Sequence, residues 1–272
     1  MDWKRILIGK WSWKRPFTSL ASIYLMLVIV AVFFADWIIF IQPPSSYEKS
    51  EPGLSFVKTS EGESIAFIHL PAAAGMPTLL YSHGNEEDIA DSSPLYDELH
   101  ASGLGIIAYD YPGYGLSTGS PNEASCQRAA MATWQHLIKS GVKPSSIIIA
   151  GRSVGSGPAV WLASQVKPAG LILISPFKSA FTTAFNLPFP ILPRDRFPNL
   201  KRIRSFDRAL LVIHGEDDEV IAASHGQELF AACPSADKEL KLFPNAGHND
   251  LFLLNGEEII AAMEEFAIRF AK

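Results

Sequence analysis

The chain has 272 residues, of which 48% are hydrophobic and 19% are charged, with a formal net charge of −5. This apolar content excludes an intrinsically disordered protein and is enough to bury a large core. The body of the chain has no basic run, which argues against a nucleic-acid partner. Cys126 and Cys233 have no CxxC or Cys/His spacing, so we predict neither a metal site nor a cofactor, and nothing favours a disulfide between them.

The first predicted element is an apolar stretch at 20–41 whose single charge is Asp36. As a helix it would be about 33 Å long, against about 30 Å of hydrocarbon in a bilayer. A core helix of a soluble domain would have a polar face, which this stretch lacks. A cleaved signal peptide would have a shorter apolar region and a small-x-small site, which Phe33, Phe34 and Ala35 match poorly. The sequence therefore predicts an uncleaved transmembrane anchor.

Charges on either side of this stretch predict its orientation. The residues that precede it are basic, whereas those that follow it are mixed in charge: Lys4, Arg5, Lys10, Lys14 and Arg15 before, Glu48, Lys49 and Glu51 after. The positive-inside rule makes 1–19 a cytoplasmic N-terminus and sends the body to the extracytoplasmic side, periplasmic or lumenal. A polar, proline-rich linker is predicted at 42–53, and one folded domain at 54–272.

In the body, short apolar runs alternate with segments of helical period. The predicted strands are 54–59, 65–69, 78–82, 105–109, 146–150, 170–174, 209–213 and 240–243. The predicted helices are 93–101, 123–140, 154–166, 224–232 and 249–271. Runs such as SIIIAG and GLILIS have no polar alternation, as expected of strands covered by helices on both faces. The pattern predicts a three-layer α/β fold with a mostly parallel eight-stranded sheet, and an antiparallel hairpin from its first two strands.

The segment 179–208 interrupts this alternation. It is rich in aromatic and aliphatic residues, and its prolines at 188, 190 and 193 are incompatible with a continuous helix. Two interpretations remain open. The segment is either an irregular connection packed on the core or a small apolar lid over a site for an acyl chain.

The pentapeptide from Gly151 to Gly155, GRSVG, has the form GxSxG. Alone this motif is weak evidence. A predicted strand precedes it and a predicted helix follows it, which is the context in which a serine nucleophile stands on a sharp turn. Ser153 is therefore the candidate nucleophile, at a helix N-terminus that favours developing negative charge.

A serine nucleophile needs a base, and the base needs an acid that orients it. Among seven histidines, His248 follows the last predicted strand in a turn-rich loop. The acid is expected after the seventh strand, where four residues remain equivalent candidates: Glu216, Asp217, Asp218 and Glu219. The order serine, acid, histidine is typical of α/β-hydrolases. For the oxyanion hole we predict the backbone N–H groups of Val154 and of Asn85, in the loop after the third strand.

At this point several segments resemble a known family. They are SHGNEED, YDYPGYGLSTGSPNE, SIIIAGRSVGSGP, FPNLKRI, VIHGEDDEVIAASHGQEL and AGHND. From about residue 56 onward, in order and spacing, they are similar to α/β-hydrolases of the Bem46 and ABHD17 type. The resemblance implies the α/β-hydrolase fold, Ser153 as nucleophile and His248 as base. It selects Asp218 as the acid, because the aspartate of the family's HGxxDxVI motif falls there.

Animal members of that family are described as serine hydrolases that remove palmitate from protein cysteines. Two departures limit what the resemblance implies here. This chain has no cysteine before Cys126, whereas the animal proteins have a lipidated N-terminal cysteine cluster, and the predicted topology is opposite to their cytosolic location.

The sequence therefore predicts a membrane-anchored serine hydrolase that cleaves carboxylic esters or thioesters of small-molecule, lipid or acylated-protein substrates. Two alternatives remain open: a serine aminopeptidase-like peptidase on the same fold, and a non-catalytic binding protein on a hydrolase scaffold.

Overall fold

The computed structural model describes residues 13–51, 53–184 and 195–271. The strands are β1 Leu54–Lys58, β2 Ser64–Leu70, β3 Thr78–Ser82, β4 Gly105–Tyr109, β5 Ile147–Arg152, β6 Gly170–Ile174, β7 Ala209–Gly215 and β8 Lys238–Phe243. The helices are α1 Arg15–Phe33, α2 Ala35–Ile39, α3 Ser93–Ala101, α4 Glu123–Lys139, α5 Ser156–Gln165, α6 Ala180–Ala184, α7 Asn199–Arg202, α8 Ser224–Ala232 and α9 Leu251–Ile268. The ends of the predicted strands differ from the observed ones by at most two residues.

The strands of the described residues form one eight-stranded sheet in the order β1-β2-β4-β3-β5-β6-β7-β8. β1 and β2 pair antiparallel, as predicted, and β2 also pairs antiparallel with β4. All pairings from β4 through β3 to β8 are parallel. The predicted α/β-hydrolase fold with a mostly parallel sheet is confirmed, and the carboxyl ends of its parallel strands meet at one edge.

Helices cover both faces of this sheet and bury two apolar clusters. Alternate side chains of the same strand belong to different clusters, as with Leu171 and Ile172 of β6. One cluster packs under α4, α5 and α8, and the other packs under α3 and α9. The uninterrupted apolar runs of the central strands follow from this double burial. Cys126 and Cys233 are both buried and free.

The N-terminal apolar helix, α1, has a mean hydropathy of 2.2 and only 6% of its most apolar window is buried. Its 19 residues span about 28 Å, close to the thickness of a bilayer's hydrocarbon core. The helix starts earlier than the predicted stretch and ends at Phe33. A non-helical residue, Phe34, separates it from the short helix α2. Part of the predicted basic N-terminus, 1–12, lies outside the described residues.

The chain that leaves α2 packs onto the folded body. Phe40 is 4% exposed and its ring lies 6.1 Å from that of Phe197, centroid to centroid. Asp36 accepts a hydrogen bond of 2.9 Å from Nε of Arg196, so this charge has a partner that the sequence did not indicate. The predicted lid segment is described only in part, since 185–194 lie outside the described residues.

Candidate active site

Ser153 stands on a sharp turn between β5 and α5. Its φ angle is +51°, in the left-handed region that is costly for any residue with a Cβ atom. A Cβ at Gly155 would collide with the carbonyl oxygens of Ser82 and His83 at the end of β3, and one at Gly151 would collide with the carbonyl of Gly155. Both motif glycines are thus required by close backbone approach. The turn places the Ser153 side chain at the carboxyl edge of the sheet.

The three predicted catalytic side chains lie in one hydrogen-bonded chain. The Ser153 Oγ and the His248 Nε2 are 2.9 Å apart, and the His248 Nδ1 is 2.7 Å from the Asp218 Oδ2. Each residue is at most 9% exposed. Ser153 follows β5, Asp218 follows β7 and His248 follows β8, so three parallel strand ends bring together residues 95 positions apart in sequence. Their chemical role stays a prediction.

Asp218 is held in place by its own loop. Its Oδ1 accepts hydrogen bonds from the backbone N–H groups of Ile221, at 2.6 Å, and Val220, at 3.0 Å. Burial alone would raise the pKa of this carboxyl. Hydrogen bonds from His214, His248 and the Ile221 backbone outweigh burial and hold the pKa well below its usual value. Asp218 is therefore an anion at neutral pH, able to orient a neutral imidazole and to stabilise an imidazolium.

The neighbouring acids of the same loop differ from Asp218. Glu216, Asp217 and Glu219 are exposed, and the Glu219 carboxylate accepts a hydrogen bond of 3.4 Å from the backbone N–H of His248. Among the four candidates that the sequence left equivalent, Asp218 is the one whose carboxylate contacts the His248 ring.

Asn85 and Val154, the predicted oxyanion-hole residues, both line the cleft that contains Ser153 and His248. Asn85 follows β3, next to the strand that carries the serine. Its side chain has a further set of contacts: the Nδ2 donates to the carbonyl of Ile39 at 2.9 Å, and the Oδ1 accepts from the backbone N–H of Ile41 at 3.1 Å. Sequence reasoning did not foresee these contacts with the N-terminal segment.

The cleft over Ser153 has a volume of about 370 Å³ and is largely apolar. Its walls come from the end of α2 and the residues after it, from α6 with the loop before it, and from the loop after β7. Glu87 and Arg152 form an ion pair at its polar side. The volume of the cleft lies within the range of small-molecule sites. Its lining suits an apolar group bound next to the polar side chains of Ser153 and His248.

His214 is a site residue that sequence reasoning missed. It is the penultimate residue of β7 and is fully buried, and its Nε2 lies 2.7 Å from the Ile221 carbonyl oxygen and 3.3 Å from the Asp218 Oδ2. These two contacts fix the loop that presents the acid. The sequence could have indicated this role, since a histidine near the end of a buried strand needs a polar partner, and an acidic loop follows directly.

Comparison with known sequences identifies relatives over most of the chain. Alpha/beta hydrolase domain-containing protein 17B of Homo sapiens is 37% identical over 222 residues, which are 80% of this chain and 75% of that protein. Alpha/beta hydrolase domain-containing protein 17C of Mus musculus is 40% identical over 178 residues, 65% of this chain and 55% of that protein. A family model described as serine aminopeptidase, S33, matches residues 198–252.

Solved structures share the fold at low sequence identity. An esterase of Pyrococcus furiosus superposes with a TM-score of 0.71 at 19% identity, covering 84% of this chain and 99% of that one. A monoacylglycerol lipase of Paleococcus ferrophilus superposes with a TM-score of 0.59 at 18% identity, covering 76% and 99%. The fold and the sequence identity agree with the resemblance seen in the motifs. The chain is a hydrolase that belongs to the alpha/beta hydrolase domain-containing protein 17 family.

Proposed function

We propose that this hydrolase cleaves carboxylic esters or thioesters through an acyl-enzyme intermediate, with Ser153 as nucleophile, His248 as general base and Asp218 as its orienting acid. The observation that carries the proposal is the hydrogen-bonded chain from Ser153 through His248 to Asp218, which opens into an apolar cleft. An acyl group fits the apolar lining, and its carbonyl carbon must come within reach of the Ser153 Oγ.

The first half of the reaction forms the acyl-enzyme. His248 Nε2 takes the hydroxyl proton as the Ser153 Oγ attacks the carbonyl carbon, and the anionic Asp218 stabilises the imidazolium that forms. The negative charge on the carbonyl oxygen is stabilised by the backbone N–H groups of Asn85 and Val154 and by the N-terminus of α5. His248 then donates its proton to the departing alkoxide or thiolate, and the acyl group stays on Ser153.

The second half repeats these steps with water. His248 takes a proton from water, the hydroxide attacks the acyl-Ser153 carbonyl, and the carboxylic acid leaves as Ser153 regains its proton. Each oxyanion donor in such sites contributes about 2.7–4 kcal/mol to the transition state.

Replacement of the nucleophile tests the proposal directly. Ser153→Ala removes the attacking oxygen, so hydrolysis of short p-nitrophenyl esters and labelling by a fluorophosphonate probe should both be lost. Ser164→Ala is a matched control, because that hydroxyl lies in α5, does not line the cleft, and bonds only to neighbours on the same helix, the Trp161 carbonyl and the Gln165 side chain, among the contacts described. Wild-type turnover by the Ser153→Ala protein would overturn the proposal, and failure of the wild type to react with the probe would favour a non-catalytic binding protein.

Peptidase activity is a second candidate, favoured by the match of residues 198–252 to a serine aminopeptidase model. That match covers the region of the acid and the histidine, which a peptidase and an esterase share. Comparison of kcat/KM for acyl esters with that for aminoacyl arylamides separates the two, since a peptidase would turn over the arylamides at least as well.

We propose further that α1 anchors the protein in a membrane with the N-terminus in the cytoplasm. Support comes from the exposed apolar surface and length of α1, and from the basic residues that precede it. The hydrolase body would then lie on the extracytoplasmic side, close to the bilayer surface.

A single introduced cysteine tests this topology. Cys126 and Cys233 are at most 1% exposed, and burial raises the pKa of both thiols, so their background reaction is low. Ser140→Cys places a thiol at the exposed end of α4. A membrane-impermeant maleimide supplied on the extracytoplasmic side of a sealed membrane should label this variant and not the wild type. Labelling only after the membrane is opened would reverse the topology.

A further inference from the structure

Part of the wall of the active-site cleft belongs to the N-terminal segment and not to the central fold. Ile38 and Ile39 of α2, and Ile41 just after it, line the same cleft as Ser153 and His248. These three isoleucines lie more than a hundred positions before the nucleophile in the sequence. We name them the isoleucine wall.

Hydrogen bonds from Asn85, in the loop after β3, hold this wall in position. The Asn85 side-chain amide bonds to the carbonyl of Ile39 and to the N–H of Ile41, at 2.9 and 3.1 Å. The Tyr114 hydroxyl donates to the same Asn85 Oδ1 at 2.6 Å. An amide that uses both its donor and its acceptor on one stretch of backbone fixes the direction of that stretch as well as its distance.

The conformation between the two bonds explains why Ile41 faces the cleft while Phe40 does not. Phe40 has extended backbone angles, so its side chain and that of Ile41 point to opposite sides of the backbone. It is 4% exposed and packs in the core, whereas Ile41 remains 49% exposed at the cleft. The extended backbone thus turns Ile41 away from the core and toward the space above Ser153, whereas Ile39 is partly buried and lines the cleft from the edge of the core.

Contacts with α6 and with Arg196 hold the end of α1 and the start of α2 against the folded body. Ala31 and Ala35 pack against Phe181, and Asp36 pairs with Arg196. Ala180 of the same short helix α6 lines the cleft. The cleft therefore opens beside the point where α1 ends, between the N-terminal segment and α6.

We propose that the isoleucine wall binds the acyl chain of the substrate and determines which chain lengths are hydrolysed. The inference rests on the proposed esterase or thioesterase function and adds the residues that select the acyl group. An acyl chain attached to Ser153 has the isoleucine wall, Phe177 and Ile221 as its apolar surroundings. Each methylene that enters such surroundings should raise kcat/KM about fourfold until the cleft is full.

The test measures kcat/KM of the full-length protein in detergent micelles, for p-nitrophenyl esters from acetate to dodecanoate. Ile38→Trp and Ile41→Trp fill the cleft, so the ratio of dodecanoate to acetate should fall by about tenfold or more relative to the wild type. Ile29→Trp is the matched control, because Ile29 is an exposed residue of α1 that does not line the cleft. Its ratio should stay at the wild-type value.

A second change gives the opposite sign and covers the case in which a tryptophan variant does not fold. Ile41→Ala enlarges the cleft and should move the preferred chain length upward. The inference is overturned if all the isoleucine-wall variants keep the wild-type chain-length profile. Ser153→Ala separates this result from failure of the proposed function: if that variant is inactive while the profiles are unchanged, only the isoleucine wall is wrong.

Discussion

Asp218→Asn tests the choice of the catalytic acid, which the sequence reached only through a family resemblance. Asparagine can keep the Oδ1 contacts with Val220 and Ile221, but its NH2 group would face the His248 Nδ1 in place of an acceptor oxygen. The imidazole would then favour the tautomer with its proton on Nε2, which cannot accept the proton of Ser153. In serine hydrolases this defect lowers kcat by about 10⁴, equivalent to about 5.4 kcal/mol.

The assay is kcat for p-nitrophenyl acetate together with thermal unfolding, so that loss of chemistry is separated from loss of fold. Glu216→Gln and Asp217→Asn are matched controls in the same loop, since both side chains are exposed. They should keep wild-type kcat. The reasoning is refuted if Asp218→Asn stays within tenfold of the wild type while folded, or if Asp217→Asn shows the larger loss.

Three further predictions concern stability. Gly155→Ala should cost about 1–3 kcal/mol in urea unfolding, because its Cβ collides with carbonyl oxygens at the end of β3, and an unchanged midpoint would contradict this. Because the folded pKa of Asp218 is depressed, its stabilising effect is present above about pH 4 and is lost as the pH falls further, so Asp218→Asn should show a shallower loss of stability in acid than the wild type. Asp110→Ala removes the acceptor of two buried donors, the Tyr47 hydroxyl and the Ile89 backbone N–H; it should cost about 1–3 kcal/mol for each donor left unpaired, whereas Asp97→Ala, on an exposed position of α3, should cost almost nothing.

Most of the fold was readable from the sequence because the central strands are buried on both faces. Runs such as 147–150 and 170–174 are apolar at every position, and glycines end several of them, so strand and helix alternate without ambiguity. The order of strands then places the loops after β5, β7 and β8 at one sheet edge. This is why Ser153 and His248 could be named in advance.

Without the family resemblance, the choice among the four acids was not readable, because a loop's backbone path depends on contacts that the local sequence does not specify. Asp218 lies nearest the histidine because Val220 and Ile221 donate their N–H groups to its Oδ1 and because His214 fixes the carbonyl of Ile221. Those contacts involve the end of β7 and the start of the following turn. Residue type and spacing alone treat the neighbouring carboxylates as equal.

Hydropathy also does not show where the N-terminal helix ends and where the chain joins the folded body. The stretch 20–41 is apolar except for Asp36, yet Phe40 packs in the protein core and Ile41 lines the cleft. Hydropathy measures preference for an apolar environment and does not separate lipid from protein interior. The prolines and charges after residue 41 mark the end of apolar sequence, whereas the structure ends α1 eight residues earlier, at Phe33.

The loop after β3 connects these observations, because it contacts the N-terminal segment at two points. Asn85 bonds to the backbone at Ile39 and Ile41, and Asp88 accepts two hydrogen bonds of 2.6 Å from Ser46. On the proposed mechanism the backbone N–H of Asn85 stabilises the oxyanion, so the residue that positions the isoleucine wall also carries a catalytic donor. A displacement of about 1 Å in such a group lowers rates by about 10². Movement of the N-terminal segment would therefore change both acyl binding and transition-state stabilisation, and the segment acts as a structural part of the active site.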